Sequence, residues 1–125
     1  MAKENRIGST EPERPEPRLR LRIHMAENHL GPGKIDLLEA IGRTGSISAA
    51  GRELGMSYRR AWLLVDAVNG LYRVPAVTTA AGGAHGGGAR LTDFGRDLVA
   101  AYRRLEHRAI AAMHEEMAPF EAQRR

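Results

Sequence analysis

The chain has 125 residues, enough for one domain with a modest core, and its net charge of +4 fits a polyanionic partner without identifying one. The absence of cysteine excludes disulfides, thiolate zinc sites and cysteine nucleophiles. The charged N-terminus does not have the pattern of a secretory signal, and no apolar run approaches the roughly 20 residues that span a bilayer. We therefore expect a cytoplasmic protein with no membrane contact.

The N-terminal third begins with a segment that is unsuited to folding. Residues 1–17 are charged and interrupted by prolines, which predicts a disordered tail. Leu19–Met25 alternates apolar and polar residues and predicts a half-buried strand, whose arginine-rich face is read most simply as solvated. Gly31–Gly33 predicts a turn, and Lys34–Gly42 has the apolar spacing of a short helix.

The next segment has the pattern of a helix-turn-helix. Ser46–Leu54 predicts a short amphipathic helix with Ser46 as its N-cap, and Gly55 ends it. Ser57 can then cap a second helix, whose apolar residues follow helical spacing as far as Leu71. Gly51 is small where the two helices would cross. Such a unit presents the start of its second helix to the major groove of DNA, so the pattern predicts DNA binding.

The start of the second helix carries side chains suited to DNA. Arg59 and Arg60 lie where the helix dipole disfavours cations, so guanine edges or phosphates would balance them. Ser57 either bonds a phosphate or only caps its helix, and Tyr58 could touch a thymine methyl group or a phosphate. Trp62 either covers the edge of the core under the following hairpin or lies against the DNA backbone.

A hairpin is predicted after the second helix. Ala76–Ala80 and Ala89–Leu91 are strand-like and flank a glycine-rich loop, and the strand at Leu19–Met25 is expected to complete a small sheet with them. The loop lacks the spacing of a phosphate-binding P-loop, so it is either a plain flexible loop or the tip of a DNA-binding wing. The predicted DNA-binding residues are Ser46, Ser57, Tyr58, Arg59, Arg60, Trp62, His85, Gly86, Gly87 and Arg90.

The last predicted element is a long helix. Thr92 can cap it, Pro119 marks its end, and its length would reach about 35 Å, more than a small core needs. Part of its apolar stripe is therefore predicted to meet a second copy of the chain. The predicted dimerisation residues are Leu98, Tyr102, Leu105, Ala109 and Met113.

The whole order predicts a mainly α fold with a small antiparallel sheet. Residues 18–91 would form a winged helix-turn-helix, 92–118 a dimerisation helix, and 119–125 a tail. Two histidines, His107 and His114, share a helix face but are expected to be solvated rather than metal-binding. No catalytic constellation can be identified, so we expect a protein that is not an enzyme and has no metal or cofactor.

From Leu19 to about Met113, the sequence resembles the N-terminal DNA-binding domain of ModE-type molybdate-responsive transcriptional regulators. A weaker likeness to the LysR-type helix-turn-helix covers Gly45 to Leu71. The carrying motifs are Ile35-Asp36-Leu37-Leu38, Gly45-Ser46-Ile47-Ser48, Ser57-Tyr58-Arg59-Arg60-Ala61-Trp62, Asn69, Gly82-Gly83, Gly86-Gly87-Gly88 and Leu91-Thr92-Asp93-Phe94-Gly95.

The resemblance implies a homodimeric winged helix that binds double-stranded DNA at a palindromic operator. It places Ser57, Tyr58 and Arg59 on the groove-reading helix, and it carries over the wing glycines. Thr78-Thr79 departs from the charged residues expected before the wing, so wing contacts would differ. The family's regulators usually continue into small β-barrel domains that bind molybdate; because the sequence stops at Arg125, we expect no molybdate binding by this chain.

Two alternatives remain open at this stage. One is a winged helix that uses its helix or wing to bind protein. The other is a nucleoid-type architectural binder with little sequence preference. The paired arginines at a helix start argue against the first, and selection of sites from random DNA would separate the second.

Overall fold

The computed structural model describes residues 15–80 and 88–125. Within them, a pair of short strands precedes three helices, and a second pair of strands leads into a long helix that ends in a 3-10 helix. The bounds are β1 Ile23–Met25, β2 Asn28–Leu30, α1 Pro32–Thr44, α2 Ile47–Glu53, α3 Tyr58–Leu71, β3 Val77–Thr79, β4 Ala89–Leu91, α4 Asp93–Met117 and the 3-10 helix Ala118–Gln123. The predicted fold class, a mainly α winged helix with a long C-terminal helix, is confirmed.

The core lies between α1, α2 and α3 and is closed by the second strand pair and the first half of α4. α1 supplies most of the largest fully buried side chains, because its apolar residues recur at helical spacing. The buried large side chains are Leu30, Ile35, Leu37, Leu38, Ile41 and Val68. At the crossing of α2 and α3, a Cβ on Gly51 would lie 3.0 Å from that of Ala61, so the predicted need for a small residue is explained by close packing.

The prediction that the first strand joins the hairpin is wrong. β1 pairs with β2 in antiparallel register, Ile23 opposite Leu30, and β3 pairs with β4 in a separate two-stranded sheet. The strand is also shorter than Leu19–Met25, because residues 18–22 are not in a strand. A tight turn that includes Ala26, at a φ of 50°, folds the chain back at once, so β1 is paired locally.

The predicted turn at Gly31–Gly33 is also wrong. Gly31 is the N-cap of α1 and Pro32 begins the helix, two residues earlier than expected. Proline is well tolerated there because the first N–H groups of a helix have no intrahelical acceptor. The glycine–proline pattern therefore marks a helix start rather than a separate loop.

α4 divides into two halves. Its buried residues are Gly95, Val99 and Tyr102, all in the first three turns, and no residue after Tyr102 is buried. The predicted tail at 119–125 is largely structured, because the 3-10 helix occupies Ala118–Gln123. The predicted N-terminal tail lies mostly outside the described residues. Within the described ranges, no helix combines the length and apolarity that a bilayer crossing requires.

Candidate nucleic-acid interface

Two side-chain caps and one glycine turn position the helix-turn-helix. The Ser46 hydroxyl accepts a hydrogen bond from the Ala49 N–H at 3.0 Å, and the Ser57 hydroxyl accepts one from the Arg60 N–H at 3.1 Å. Gly55 between the helices has a φ of 71°, a conformation that favours glycine. The predicted caps and break are therefore found at the predicted residues.

The first turn of α3 is exposed. Tyr58 is 61% exposed, and Arg59 and Arg60 are exposed beside it. Within the described part of the chain, neither guanidinium has a hydrogen-bond or ion-pair partner. Ser57 uses its oxygen as an acceptor in the cap, and its hydroxyl proton remains able to donate to a phosphate.

Trp62 is a residue of α3 that lies next to the base of the wing. It packs against the core, and its ring meets that of Tyr58 edge-on with centroids 6.2 Å apart. It lines an open cleft together with Ser46, Thr79 and Gly88. Its indole Nε1 is buried and has no hydrogen-bond partner among the residues described. The tryptophan therefore covers the core edge, as one interpretation predicted, and leaves one unpaired donor by the cleft.

In the described part of the wing, both strands are hydrogen-bonded to the helical part of the chain. The Ala89 N–H donates to the Gly45 carbonyl at 2.9 Å, which joins β4 to the α1–α2 connection. Arg90 is exposed and lies opposite Thr78 in the strand register. The predicted contacts at His85, Gly86 and Gly87 lie outside the described residues.

Asn69 fixes the position of β3, a role that sequence reasoning did not find. Its Oδ1 accepts hydrogen bonds from the Ala76 and Val77 N–H groups at 2.8 and 3.1 Å, and its Nδ2 donates to the Val77 carbonyl at 3.0 Å. A single side chain near the end of α3 thus holds the strand that leads into the wing. The only sequence signal was its place among the residues shared with the ModE-type domain.

Gly95 and Thr92 hold the wing against α4. A Cβ on Gly95 would overlap the Ala76 carbonyl oxygen and lie 3.0 Å from its carbonyl carbon. Thr92 accepts from the Gly95 N–H at 2.9 Å and donates to the Pro75 carbonyl at 2.7 Å, so it also caps α4 as predicted. The residue that precedes β3 and the first turn of α4 are therefore in direct backbone contact.

A second group of basic residues adjoins the interface at the start of α1. Lys34 is only 7% exposed, and burial, Arg22 and Arg60 together lower its pKa. The pKa of His29 is lowered as well, first by the charge of Lys34 and then by partial burial, Arg22 and His24. Sequence reasoning missed this group because its members come from four separate segments: the chain before β1, β2, α1 and α3.

The predicted dimerisation stripe is split by the structure. Tyr102 is 2% exposed and donates from its hydroxyl to the Leu21 carbonyl at 2.6 Å, so it belongs to the core of its own chain. Leu98 also packs against that core. Leu105 is 43% exposed, and Ala109 and Met113 are partly exposed beyond it. The part of the stripe that could reach a second chain is therefore its C-terminal half.

Comparison with known proteins shows that the sequence is similar to proteins named for molybdenum, although no protein-family model matches it. Over 77 residues, 62% of the chain, it is 56% identical to the molybdenum-pterin-binding protein MopB of Rhodobacter capsulatus and 49% identical to the molybdenum transport protein ModE of Azotobacter vinelandii. It is 41% identical over 71 residues to the DNA-binding transcriptional dual regulator ModE of Escherichia coli (strain K12). The resemblance to ModE-type regulators is confirmed.

The similarity covers only part of the length of the ModE-type proteins. The chain spans 28% of the length of the Rhodobacter and Azotobacter proteins and 27% of that of the Escherichia coli regulator, each matching 57–62% of this chain. The functions of those whole proteins are therefore only proposals for this chain. Within the described residues, no group of three or more histidine or carboxylate side chains could hold a metal ion.

Proposed function

We propose that this chain is a sequence-specific DNA-binding transcriptional regulator, cytoplasmic and not catalytic, that presents α3 to the major groove. The observation that carries the proposal is the first turn of α3, where Tyr58, Arg59 and Arg60 are exposed at the capped start of the second helix of the helix-turn-helix. Unpaired arginines at a helix N-terminus are unfavourable without an anion, and guanine edges or phosphates supply the missing acceptors. A ModE-type relative is itself named a DNA-binding regulator.

The surroundings of α3 fit this role. Ser46 and Trp62 line the cleft next to the exposed turn, and Ser57 caps that turn. Leu63 is 54% exposed on the outer side of α3 and could meet a thymine methyl group. Arg90 on β4 extends the basic surface to the wing, where we infer a contact to the DNA backbone.

Homodimerisation is part of the proposal. The second half of α4 has apolar residues that stay partly or fully exposed among the residues described, and Leu105 is the largest exposed one near the core. A two-fold pair would place two recognition helices about 34 Å apart on a palindromic operator. Leu105→Glu should give a monomer by light scattering, whereas Ala111→Glu, on the opposite side of the helix, should remain dimeric. A dimeric Leu105→Glu would contradict this interface.

The decisive experiment is selection of binding sites from random duplex DNA, followed by affinity measurements on the enriched site. We expect a palindromic motif, and Arg59→Ala should lower the preference for it by about 1–3 kcal/mol relative to random DNA. Arg108→Gln removes one exposed arginine from α4 and serves as the matched charge control. Equal loss on both DNAs would show that Arg59 contacts only phosphate, and no enriched motif would indicate an architectural binder.

A further inference from the structure

Four basic side chains gather where α1 begins. If Gly31, the N-cap of α1, carried a Cβ, that atom would lie 3.2 Å from Cγ of Arg22 and 3.4 Å from Cδ2 of His29. Both side chains therefore pass directly over the helix start. Lys34 follows within the first turn, and Arg60 of α3 is close enough to lower its pKa. These four residues are called the α1 basic cluster below.

The helix end beneath the cluster is itself electropositive. α1 has 13 residues, its N-cap has no side chain to accept a hydrogen bond, and its first turn contains no acidic residue. The Gly33 N–H has no intrahelical acceptor at this position, and the space where a Gly33 Cβ would lie is open to 4 Å. The aligned peptide dipoles add partial positive charge at the same end.

Lys34 is an independent sign that an anion belongs there. The residue is more than nine-tenths buried, yet in residues 15–80 and 88–125 its ammonium has no hydrogen-bond or ion-pair partner. The charged groups that perturb it, Arg22 and Arg60, are both cations. The Lys34 side chain is therefore largely buried among like charges, which disfavours its ammonium, and an anion bound at Nζ would offset that cost. Arg103 shows the contrast, because it contacts Asp36, Glu39 and Glu106.

We propose that the α1 basic cluster is an oxyanion site that binds one phosphate of the DNA backbone, outside the groove-reading turn. The inference of DNA as the source rests on the proposed function. Arg60 belongs to the turn of α3 that would enter the groove, and α1 and β2 both pack against α3. A backbone phosphate at the edge of that groove would be a tetrahedral anion within reach of both α1 and α3.

The first arm of the test uses DNA-free protein and inorganic phosphate. In amide and imidazole NMR spectra, phosphate should shift the Gly33 N–H and the His29 ring, and the shifts should disappear in Lys34→Met. Methionine replaces the buried stem of lysine without its charge, and Arg22→Gln provides a second, exposed variant should the first fail to fold. Absence of any shift in the wild-type protein would overturn the oxyanion site.

The second arm measures duplex affinity against salt concentration. Lys34→Met should weaken binding about tenfold and flatten the slope of log affinity against log salt by about one unit, equally on the selected and random duplexes. Arg108→Gln is the charge control. If phosphate shifts the cluster but Lys34→Met binds DNA like the control, the ligand is a free oxyanion and the assignment to DNA is wrong. If the wild type binds no duplex but responds to phosphate, the proposed function fails and the oxyanion site remains.

Discussion

Replacing Gly95 by alanine tests whether direct contact between α4 and Ala76, the residue before β3, holds the wing in place. The new Cβ would overlap the Ala76 carbonyl oxygen and approach its Cα to 3.2 Å, and both neighbours are backbone atoms that cannot rotate away. Overpacking of this kind costs about 1–3 kcal/mol. The Thr92 bonds to Pro75 and Ala76 would be strained or lost at about 1 kcal/mol each, while better helix propensity returns about 0.5–1 kcal/mol. The net expectation is a loss of about 2–4 kcal/mol.

The assay is urea and thermal unfolding followed by far-ultraviolet circular dichroism at a fixed protein concentration. For a domain of this size, such a loss lowers the melting temperature by about 10–25 °C. Gly70→Ala is the matched control, because Gly70 is helical and a Cβ there would meet nothing within 4 Å. That variant should be more stable by about 0.5–1 kcal/mol. Equal stability of the two alanine variants would refute the contact argument.

Three further predictions concern groups around the site. Asn69→Ala should lower the free energy of unfolding by about 2–4 kcal/mol in urea titrations, because two backbone N–H groups of the wing strand lose their acceptor. The Arg103 guanidinium lowers the pKa of Glu39, so this ion pair should stabilise the fold above the ordinary carboxyl pKa and stop doing so as pH falls through the lowered value. In Arg103→Gln, the free energy of unfolding should therefore depend less on pH across that acidic range. The pKa of His29 should rise in Lys34→Met, since the largest cause of its lowering is removed. An NMR titration that shows no rise would mean that the charge of Lys34 does not act on His29.

Local chemistry explains why the helix-turn-helix could be predicted from the sequence. Ser46, Ser57 and Thr92 each accept a hydrogen bond from an N–H three residues later, and that pattern can be recognised in the sequence without knowledge of the fold. The glycine turn and the apolar spacing of α3 are equally local. The long α4 was also predicted, because its apolar residues recur over many turns.

The errors came from contacts between distant parts of the chain. β1 was assigned to the wrong sheet, because the alternation over Leu19–Met25 does not specify which strand it pairs with. Tyr102 was placed on a dimer surface, yet it bonds the carbonyl of Leu21, 81 residues away, and helical spacing cannot separate a core residue from an interface residue. The α1 basic cluster was missed for the same reason.

The charge distribution connects the site to the rest of the molecule. Arg103 donates hydrogen bonds to three carboxylates of α1 and α4, so these acidic groups already have a cationic partner. The first turns of α1 and α3 have no such partners among the residues described, and their helix dipoles point the same sign of charge outward. A small net charge of +4 therefore understates the local field that DNA would meet. Because α3 is capped at Ser57 and bonded to the wing through Asn69, that field is held on a rigid frame, and binding would require little ordering of the helices themselves.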